Sequence, residues 1–573
     1  MNIKKAALSI TLATSLLGVS SCSQSTDSQT IKHKMADAEA QQNNDGNYNI
    51  VFVTVDQEHY FDEFPAGTNF KARELLEKMG TTFEKHYTCA NVSTSSRSVI
   101  YTGTHITDTL MIDNTESPWQ EPISENLTTV GDRMISAGYY SAFKGKWHMG
   151  DTSVFDDNSQ PAMQEQNGLL GYGFSDWNAQ GDIVGQLQQG YMQDSNIAGD
   201  TVSWLRSKGS ATNAAGQSFF LAINLVNPHD IMYYDTDTDG STVQNTGQTT
   251  FAIEGAPANM VYETSYPQAA IPATWDQPLD DDGRVPAELE YFNLWNRRVG
   301  EIPSVASRWE NFRDYYYNCI QDNDDQLYNI LSELTNLKML DNTIIVFTSD
   351  HGDMQGANGL RGKGGFMYEN NIHVPMIIVH PEYEGGNSIT AVTSHIDLAT
   401  TFIDMTNLPD AKKAEISAGL PGNSLMDLID GSQTEIRSGS LFAYEMISMI
   451  DSDMMQTTDP STGVTSYAID YSKRGFVRGI TTEKYKFARY FSPLNFNMPT
   501  TIEELYANND VQLFDLEKDP EELVNLATDK ETNAALIIEL NSQLNALITK
   551  EIGVDDGSEA AAVINQINKP PNE

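Results

Sequence analysis

Cysteine and basic side chains are scarce in this chain of 573 residues. Its three cysteines are too few for a disulfide framework; Cys89 and Cys319 could pair, but two lone thiols are more often simply buried. Acidic residues outnumber basic ones by 79 to 35, and the net charge of -44 excludes a nucleic-acid partner, because phosphate binding needs a basic surface. The same charge repels anionic substrates, so an anion site would need its own cluster of cations.

Long apolar runs are also scarce, and the run at 6–19 is too short to span a bilayer. It follows two lysines and precedes small residues, which is typical of an export signal over 1–21. The ending "VSSC" resembles a bacterial lipobox. Cys22 would then carry the lipid anchor, the only membrane attachment of a periplasmic or outer-membrane lipoprotein; an ordinary cleaved signal is the alternative. The polar segment 22–47 predicts a flexible tether.

Apolar, β-branched runs alternate with helical patterns after residue 47. Runs of the kind that form strands buried on both faces lie at 48–55, 218–226, 343–349 and 374–379. Amphipathic helical patterns separate them, at 70–80, 128–138, 200–209 and 307–340. This alternation predicts an α/β catalytic domain over 48–410.

Three of these runs end on metal-ligating or titratable side chains. Asp56, His229 and the pair Asp350 and His351 each follow a predicted strand directly. The carboxyl ends of parallel strands meet at one edge of a sheet, so we expect these side chains to converge there. Carboxylates gathered at one edge repel each other, and a divalent cation relieves that repulsion. Each aspartate taken alone is better explained as a helix cap or turn former, but the occurrence of both at strand ends, beside His148 and His229, favours a shared site.

A hydroxyl and several fixed cations lie between these strand ends. Ser93 is followed four residues later by Arg97, in "STSSRSVIYTG" (93–103). Lys146 and His148 are two residues apart in "GYYSAFKGKWHMG" (138–150). A nucleophile, two fixed cations and a proton carrier suit attack on a tetrahedral oxyanion ester.

The remaining segments are less regular. Residues 230–301 form a stretch too long for an ordinary connection, which predicts lid loops over a site or, equally, a decorative insertion. After residue 410 the pattern changes to a strand pair at 474–491 and a helix at 531–550. We therefore expect a C-terminal α+β subdomain over 411–550, followed by a disordered tail at 551–573.

These motifs together resemble the sulfatase family of the alkaline-phosphatase-like superfamily. The first sulfatase signature is matched by Ser93, Arg97, Thr102 and Gly103, and the second by the residues Gly138, Tyr139, Ser141, Gly145, Lys146 and His148. Further matching segments lie at 227–230, 349–353, 362–369, 394–405 and 513–527, in family order. The resemblance implies a large, mostly parallel central sheet sandwiched by helices, with a smaller C-terminal domain that carries an antiparallel sheet. It also implies a sulfuric ester hydrolase.

The resemblance further implies a chemistry for individual residues. Ser93 would be converted to formylglycine by a maturase before export, and one Ca²⁺ ion would be held by Asp56, residue 93, Asp350 and His351. Arg97 and Lys146 would stabilise charge on the hydrated side chain. His148 would accept a proton from its second hydroxyl, while Lys363 and His229 would hold sulfate oxygens and protonate the leaving alkoxide.

Two positions depart from the family pattern. Ser95 stands where Pro or Ala is usual, which bears on the conversion of Ser93, and Gln57 replaces a frequent second Asp. A phosphoester or phosphonate hydrolase of the same superfamily is the main alternative, because both groups are tetrahedral oxyanions. A glycan-binding lipoprotein that has lost catalysis is a third hypothesis. The expected substrate is a sulfated small molecule or glycan, and a polysaccharide suits a tethered enzyme.

Overall fold

The computed structural model describes residues 46–150, 168–179, 185–238, 240–458 and 465–568. The predicted signal at 1–21, the anchor at Cys22 and nearly all of the tether lie outside the described residues. Within them, no helix combines the length and the apolar character needed to cross a bilayer.

The strands fall into two larger sheets and two short pairs. Their bounds are β1 Asn49–Asp56, β2 Thr81–Phe83, β3 His86–Tyr87, β4 Tyr140–Gly145, β5 Asp176–Asn178, β6 Phe219–Pro228, β7 Thr343–Ser349, β8 Met376–Val379, β9 Asn387–Ile389, β10 Thr393–Ser394, β11 Ser440–Tyr444, β12 Met455–Thr458, β13 Thr465–Ala468, β14 Phe476–Thr481, β15 Tyr485–Phe491 and β16 Asp510–Asp515.

The central sheet has eight strands in the order β5-β4-β6-β1-β7-β8-β2-β9. Its middle strands β4, β6, β1 and β7 run parallel, while β8 is antiparallel to both β7 and β2. All eight residues of β1 are buried, as expected for a strand covered by helices on both faces. The prediction of a mostly parallel sheet is confirmed.

Helices cover both faces of this sheet. One layer contains the contacting helices Lys71–Met79, Gln189–Trp204 and Ala306–Asn336, and the other contains Ser93–Thr102, Val130–Ser136 and Leu398–Asp404. A short π-helical turn, Leu205–Gly209, joins the second of these helices to Ser210–Ala214. The remaining α-helices are Ile106–Thr109, Pro286–Val299, Glu369–Ile372, Asp410–Ile416, Met426–Ile429, Ile502–Asn508, Lys530–Glu551 and Ser558–Ile567.

A second sheet follows in the C-terminal part of the chain. Its four strands, in the order β11-β14-β15-β16, are all antiparallel, and helix Lys530–Glu551 packs on it through Ile537, Leu540 and Leu544. The strand pair and the long helix predicted for this region are therefore confirmed. Ala443 of β11 donates its N–H to the carbonyl oxygen of Cys89 at 2.9 Å, which connects this sheet directly to the segment before Ser93.

The prediction of a disordered tail from residue 551 is wrong for its first part. Residues Ser558–Ile567 form a helix, and its Ala560 and Ile564 are buried in an apolar cluster with Phe476 and Phe491. The sequence "SEAAAVINQI" is short and lies beyond the last motif, so only its packing partners reveal the helix. Cys89 and Cys319 are both buried free thiols.

Candidate active site

Asp56 is the centre of the charged cluster. It ends β1, is fully buried, and its carboxylate lies 2.8 Å from Lys146 Nζ, 3.2 Å from Arg97 NH2 and 3.5 Å from Lys363 Nζ. Burial alone would raise the pKa of Asp56, but Lys146 and then Lys363 hold it well below its usual range. Three fixed cations therefore surround the end of β1.

Ser93 begins the buried helix Ser93–Thr102, so its side chain lies at the positive end of the helix dipole. Lys363 Nζ donates a hydrogen bond to Ser93 Oγ at 2.8 Å. His351 Nε2 lies 3.0 Å from the same oxygen, and both carboxylate oxygens of Asp56 lie 3.4 Å away. Lys363 and the helix dipole therefore stabilise negative charge on an oxygen nucleophile here, whereas the Asp56 carboxylate can accept its hydrogen bond.

Asp350 and His351 follow β7 and complete the buried part of the site. Asp350 Oδ2 accepts a hydrogen bond from Arg97 Nε at 3.0 Å, and Arg97 also donates to the carbonyl oxygen of Lys146 at 2.8 Å. His351 Nδ1 lies 3.0 Å from the Gly352 carbonyl oxygen, so Nδ1 carries the proton. Burial lowers the pKa of His351 to about 4, which leaves Nε2 with a free lone pair facing Ser93.

These side chains fit a divalent cation. Ligand atoms of Asp56, Asp350 and His351 all lie within 4.8 Å of one another, and Ser93 Oγ adjoins two of these residues. Two carboxylates and a neutral imidazole form a donor set typical of divalent ions. Gln57 directly follows Asp56. Its Nε2 donates a hydrogen bond to Asp353 at 2.5 Å, while its buried Oε1 has no hydrogen-bond partner among the described residues.

Lys146 and His148 lie in the loop after β4. Gly145 has φ of 88°, and a Cβ there would lie 1.9 Å from the Asn224 carbonyl oxygen, so the close approach of loop and β6 requires glycine. His148 Nε2 contacts Glu116 Oε1 at 2.5 Å. Burial opposes ionisation of Glu116, yet the His148 charge lowers its pKa to about 2. Glu116 belongs to no motif, so no sequence signal pointed to it.

The exposed side of the cluster faces a pocket of about 520 Å³. Lys146, His148, His229 and Lys363 all line it, whereas Ser93 is fully buried beneath them. Burial, and then the charge of Lys146, holds the pKa of His229 well below its usual range, so this imidazole is neutral. The pocket thus offers an anion two lysines and two histidines at the end nearest Ser93.

Other parts of the pocket wall come from two further stretches of the chain. Segment 230–301, interpreted as lid loops or an insertion, supplies Tyr233, Phe251, Trp295 and Arg298. The second sheet and its connections supply further walls through the side chains of Met446, Ser448, Met449, Met454, Gln456 and Tyr467. The segment therefore borders the site, which favours the first of the two interpretations.

All the site residues proposed from sequence converge. Asp56 contacts Arg97, Lys146 and Lys363, and Ser93 contacts Asp56, His351 and Lys363. Asp350 joins this cluster through Arg97. His148 and His229 border the same pocket. The convergence is a matter of position, and the chemical role of each residue remains a proposal.

Known proteins resemble this chain over most of its length. It is 26% identical over 373 residues to the uncharacterized sulfatase YidJ of Escherichia coli, covering 62% of this chain and 65% of that protein. It is also 26% identical over 364 residues to arylsulfatase K of Danio rerio, covering 62% of each. These alignments span less than two thirds of either relative.

Structural and family comparisons agree. The solved structure of a 2-O GAG sulfatase shares the fold with a TM-score of 0.63 at 17% identity, covering 88% of this chain and 93% of that one. The Sulfatase family model matches residues 48–408, which is more than half of the sequence. The chain therefore belongs to the sulfatase family.

Proposed function

We propose that this protein hydrolyses sulfuric esters, with residue 93 as the nucleophile. The observation that carries the proposal is the position of Ser93 Oγ, which adjoins Lys363, His351 and Asp56 directly below a cationic pocket. A tetrahedral oxyanion in the pocket would meet Lys146, Lys363 and the two histidines on one side. Attack from the buried side would then occur in line with a leaving group that faces the open pocket.

We propose one Ca²⁺ ion as the cofactor, held by Asp56, residue 93, Asp350 and His351. When bound, the cation would increase the acidity of the residue 93 side chain and offset negative charge on the sulfate oxygens. The chain's own part is to hold these ligands rigidly. Arg97 does so by bridging Asp56 and Asp350 at 3.2 and 3.0 Å, and Gln57 N–H fixes Asp350 Oδ1 at 3.1 Å.

Residue 93 itself is proposed to act as formylglycine, made from Ser93 by a maturase before export. The hydrated aldehyde would carry two hydroxyls, so one can form the sulfate ester and the other can expel sulfate without a separate water attack. Ser95, which takes the place of the usual Pro or Ala, lies fully buried in the same helix, and its hydroxyl has no hydrogen-bond partner in the described part of the chain.

Proton transfers are assigned by position. His148 contacts the carboxylate of Glu116, which orients its ring and stabilises an imidazolium when a proton arrives. His229, kept neutral by burial and by Lys146, would hold a sulfate oxygen at the end of the pocket nearest Ser93. Lys363 is buried, and burial, with the charge of Lys146 added, lowers its pKa, which favours proton donation to the departing alkoxide.

A phosphoester or phosphonate hydrolase is the second candidate function. The specific observation in its favour is that all cations in the site recognise charge and tetrahedral shape, which phosphate and sulfate share. Rates on matched aryl sulfate and aryl phosphate esters separate the two. A higher kcat/KM on the sulfate ester is expected, and a large phosphate preference would overturn the first choice.

Conversion of Ser93 is tested by mass spectrometry of the peptide that contains it, after expression with an oxygen-independent maturase. We expect the loss of two hydrogens in step with the appearance of aryl sulfatase activity. An intact serine in a protein that binds sulfated glycans without turnover would instead favour the hypothesis of a non-catalytic lipoprotein.

The context of the activity is also a proposal. A sulfated glycan is the proposed substrate, and we propose that Cys22 carries a lipid anchor which holds the enzyme in the periplasm or at the outer membrane. The domain limits proposed are 48–410 for the catalytic part and 411–550 for the C-terminal part. Turnover confined to small aryl esters, with none on sulfated oligosaccharides, would remove the glycan proposal.

A further inference from the structure

A second cationic group lines the pocket away from Ser93. Arg298 lies in the last turn of helix Pro286–Val299 and borders the same pocket as Lys146 and Lys363. Arginine is common at helix ends, where it can bond the last carbonyl groups. Here the carbonyl oxygens of residues 297 and 298 already accept hydrogen bonds from the backbone of residues 250 and 251, at 3.3 and 2.8 Å. The Arg298 side chain extends elsewhere.

The Arg298 guanidinium is fixed by neutral groups. NH1 donates to Met449 Sδ and NH2 to the Ser448 carbonyl oxygen, both at 3.1 Å, while its central carbon lies 6.0 Å from the Phe251 ring centroid. These contacts use two of the five N–H donors of an arginine. Within the part of the chain that the structure describes, no carboxylate lies within 4.0 Å of it. The group is therefore rigidly placed with donors to spare.

Asp113 acts on Arg298 through its charge, but no ion pair joins the two among the described residues. The buried carboxylate of Asp113 accepts hydrogen bonds from Ser448 N at 3.0 Å, Ser117 Oγ at 2.8 Å and Trp119 Nε1 at 3.1 Å, and so is fully engaged. By contrast, the neighbouring Arg297 is 52% exposed and lies 3.9 Å from Asp453, an ordinary surface pair. Arg298 is thus a half-buried cation with no directly paired carboxylate among the residues described.

A continuous aromatic wall connects Arg298 to the reactive end. The rings of His229 and Tyr233 are 6.2 Å apart, those of Tyr233 and Phe251 are 6.0 Å apart, and Arg298 lies over Phe251. Aromatic faces of this kind pack against the apolar faces of sugar or aryl rings. A molecule whose sulfate meets Lys146 and Lys363 can thus extend along this wall to Arg298.

We propose that Arg298 forms a subsite for a second anionic group of the substrate, either a carboxylate or another sulfate. This inference rests on the proposed sulfatase function and defines its substrate class as sulfated molecules with more than one negative charge. The planar fork of a guanidinium matches two oxygens of either group. The second anion would pair directly with Arg298, which offsets the repulsion from the overall charge of -44.

The test uses the whole matured enzyme and matched sulfated disaccharides. One set carries a single sulfate, the second an added carboxylate and the third an added sulfate; 4-nitrophenyl sulfate reports whether any sulfuric ester is cleaved. We expect Arg298→Gln to lower kcat/KM on the doubly charged sets by about 10- to 100-fold more than on the single-sulfate set, since a hydrogen bond to a charged group is lost. The set that loses more identifies the second anion.

Two further variants separate charge from packing. Arg298→Lys retains the charge and is expected to keep part of the preference, whereas Arg298→Gln keeps a donor for the Ser448 carbonyl group but not the charge. Arg206→Gln removes a charge that is 63% exposed, pairs with Glu333 and does not line the pocket, so the preference should persist. Equal losses on all sets, the same for both Arg298 variants, would overturn the subsite in favour of a structural role.

Failure of the subsite and failure of the proposed function give different results. Cleavage of 4-nitrophenyl sulfate with no charge preference contradicts the subsite alone. Absence of all turnover on sulfate esters contradicts the proposed function. Calorimetric binding of the carboxylate-bearing sugar without its scissile sulfate then decides on the subsite: tighter binding by the unaltered protein than by Arg298→Gln supports it, and equal binding rejects it.

Discussion

Lys363 is the residue that most directly connects the pocket with the nucleophile. Its amino group donates to Ser93 Oγ at 2.8 Å, lies 3.5 Å from Asp56 and still lines the pocket. The site thus places one cation where both the attacking oxygen and a bound oxyanion can reach it. A lone lysine is ordinarily a surface charge, so this position is informative.

Replacing Lys363 tests whether that contact stabilises developing charge. Lys363→Met is expected to lower kcat/KM on an aryl sulfate by about 100- to 1,000-fold, the usual effect of removing one donor from an oxyanion site. Lys78→Met is the control, because Lys78 is half exposed, lies outside the pocket lining and pairs with Glu74 on the same helix. A loss of less than tenfold, or an equal loss in the control, would contradict the role proposed for Lys363.

Glu116 gives a pH-dependent prediction. Burial raises its pKa, but the charge and hydrogen bond of His148, together with the charge of Lys146, lower it from 4.5 to about 2. A carboxyl whose pKa is depressed on folding contributes stability above its ordinary pKa and loses it as the pH falls through the folded value. Glu116→Gln should therefore lower the thermal midpoint at pH 7, and the difference should shrink between about pH 4.5 and pH 2.

The control for this measurement is Glu121→Gln, a change at an exposed acid in the same loop region. Midpoints measured by calorimetry across the pH range give the comparison. A difference between Glu116→Gln and the unaltered protein that stays constant down to pH 2 would show that the carboxylate charge is not responsible. Glu116→Gln should also reduce kcat more than it changes KM, since Glu116 acts through His148.

At the scale of elements, the C-terminal helix Lys530–Glu551 is joined to the central domain by buried charge. Glu551 accepts hydrogen bonds from Arg437 at 3.1 Å and lies 3.0 Å from His105. Arg437 also pairs with Asp397, the residue before helix Leu398–Asp404. One buried network therefore fixes the second sheet, its covering helix and the layer that contains Ser93.

Breaking this network should destabilise the whole chain. Glu551→Gln leaves Arg437 paired with Asp397 alone, and we expect the free energy of unfolding to fall by about 2 kcal/mol, the usual contribution of a hydrogen bond to a charged group. Glu539→Gln, an exposed position on the same helix, serves as the control. Denaturant unfolding monitored by circular dichroism measures both, and equal midpoints for the two variants would contradict the linking role of Glu551.

At the scale of the whole molecule, the sequence predicts the strands and helices, which follow from local periodicity, and the residues at strand ends, which follow from sheet topology. The ends of β1 and β7 had to meet because parallel strands share an edge, so the sequence alone was enough to place Asp56 and Asp350 together. Glu116 could not be found, because it lies in a loop without periodicity. Arg298 and Met449 could not be found either, since they meet only through packing between distant parts of the chain.

A cation that binds the folded protein alone must raise its stability, which gives a last prediction. At a free Ca²⁺ concentration 100 times its dissociation constant the gain is about 2.7 kcal/mol, so chelation should lower the thermal midpoint and abolish activity, and Ca²⁺ should restore both. Asp350→Asn should remove most of this shift. A second acidic group, Glu445, Asp555 and Glu559, could also attract the ion. Asp555→Asn is the control for that group: if the ion binds at Asp350, this variant should keep the Ca²⁺-dependent shift in the thermal midpoint. Loss of the shift in Asp555→Asn, with the shift retained in Asp350→Asn, would mean that the cation is bound at the second group.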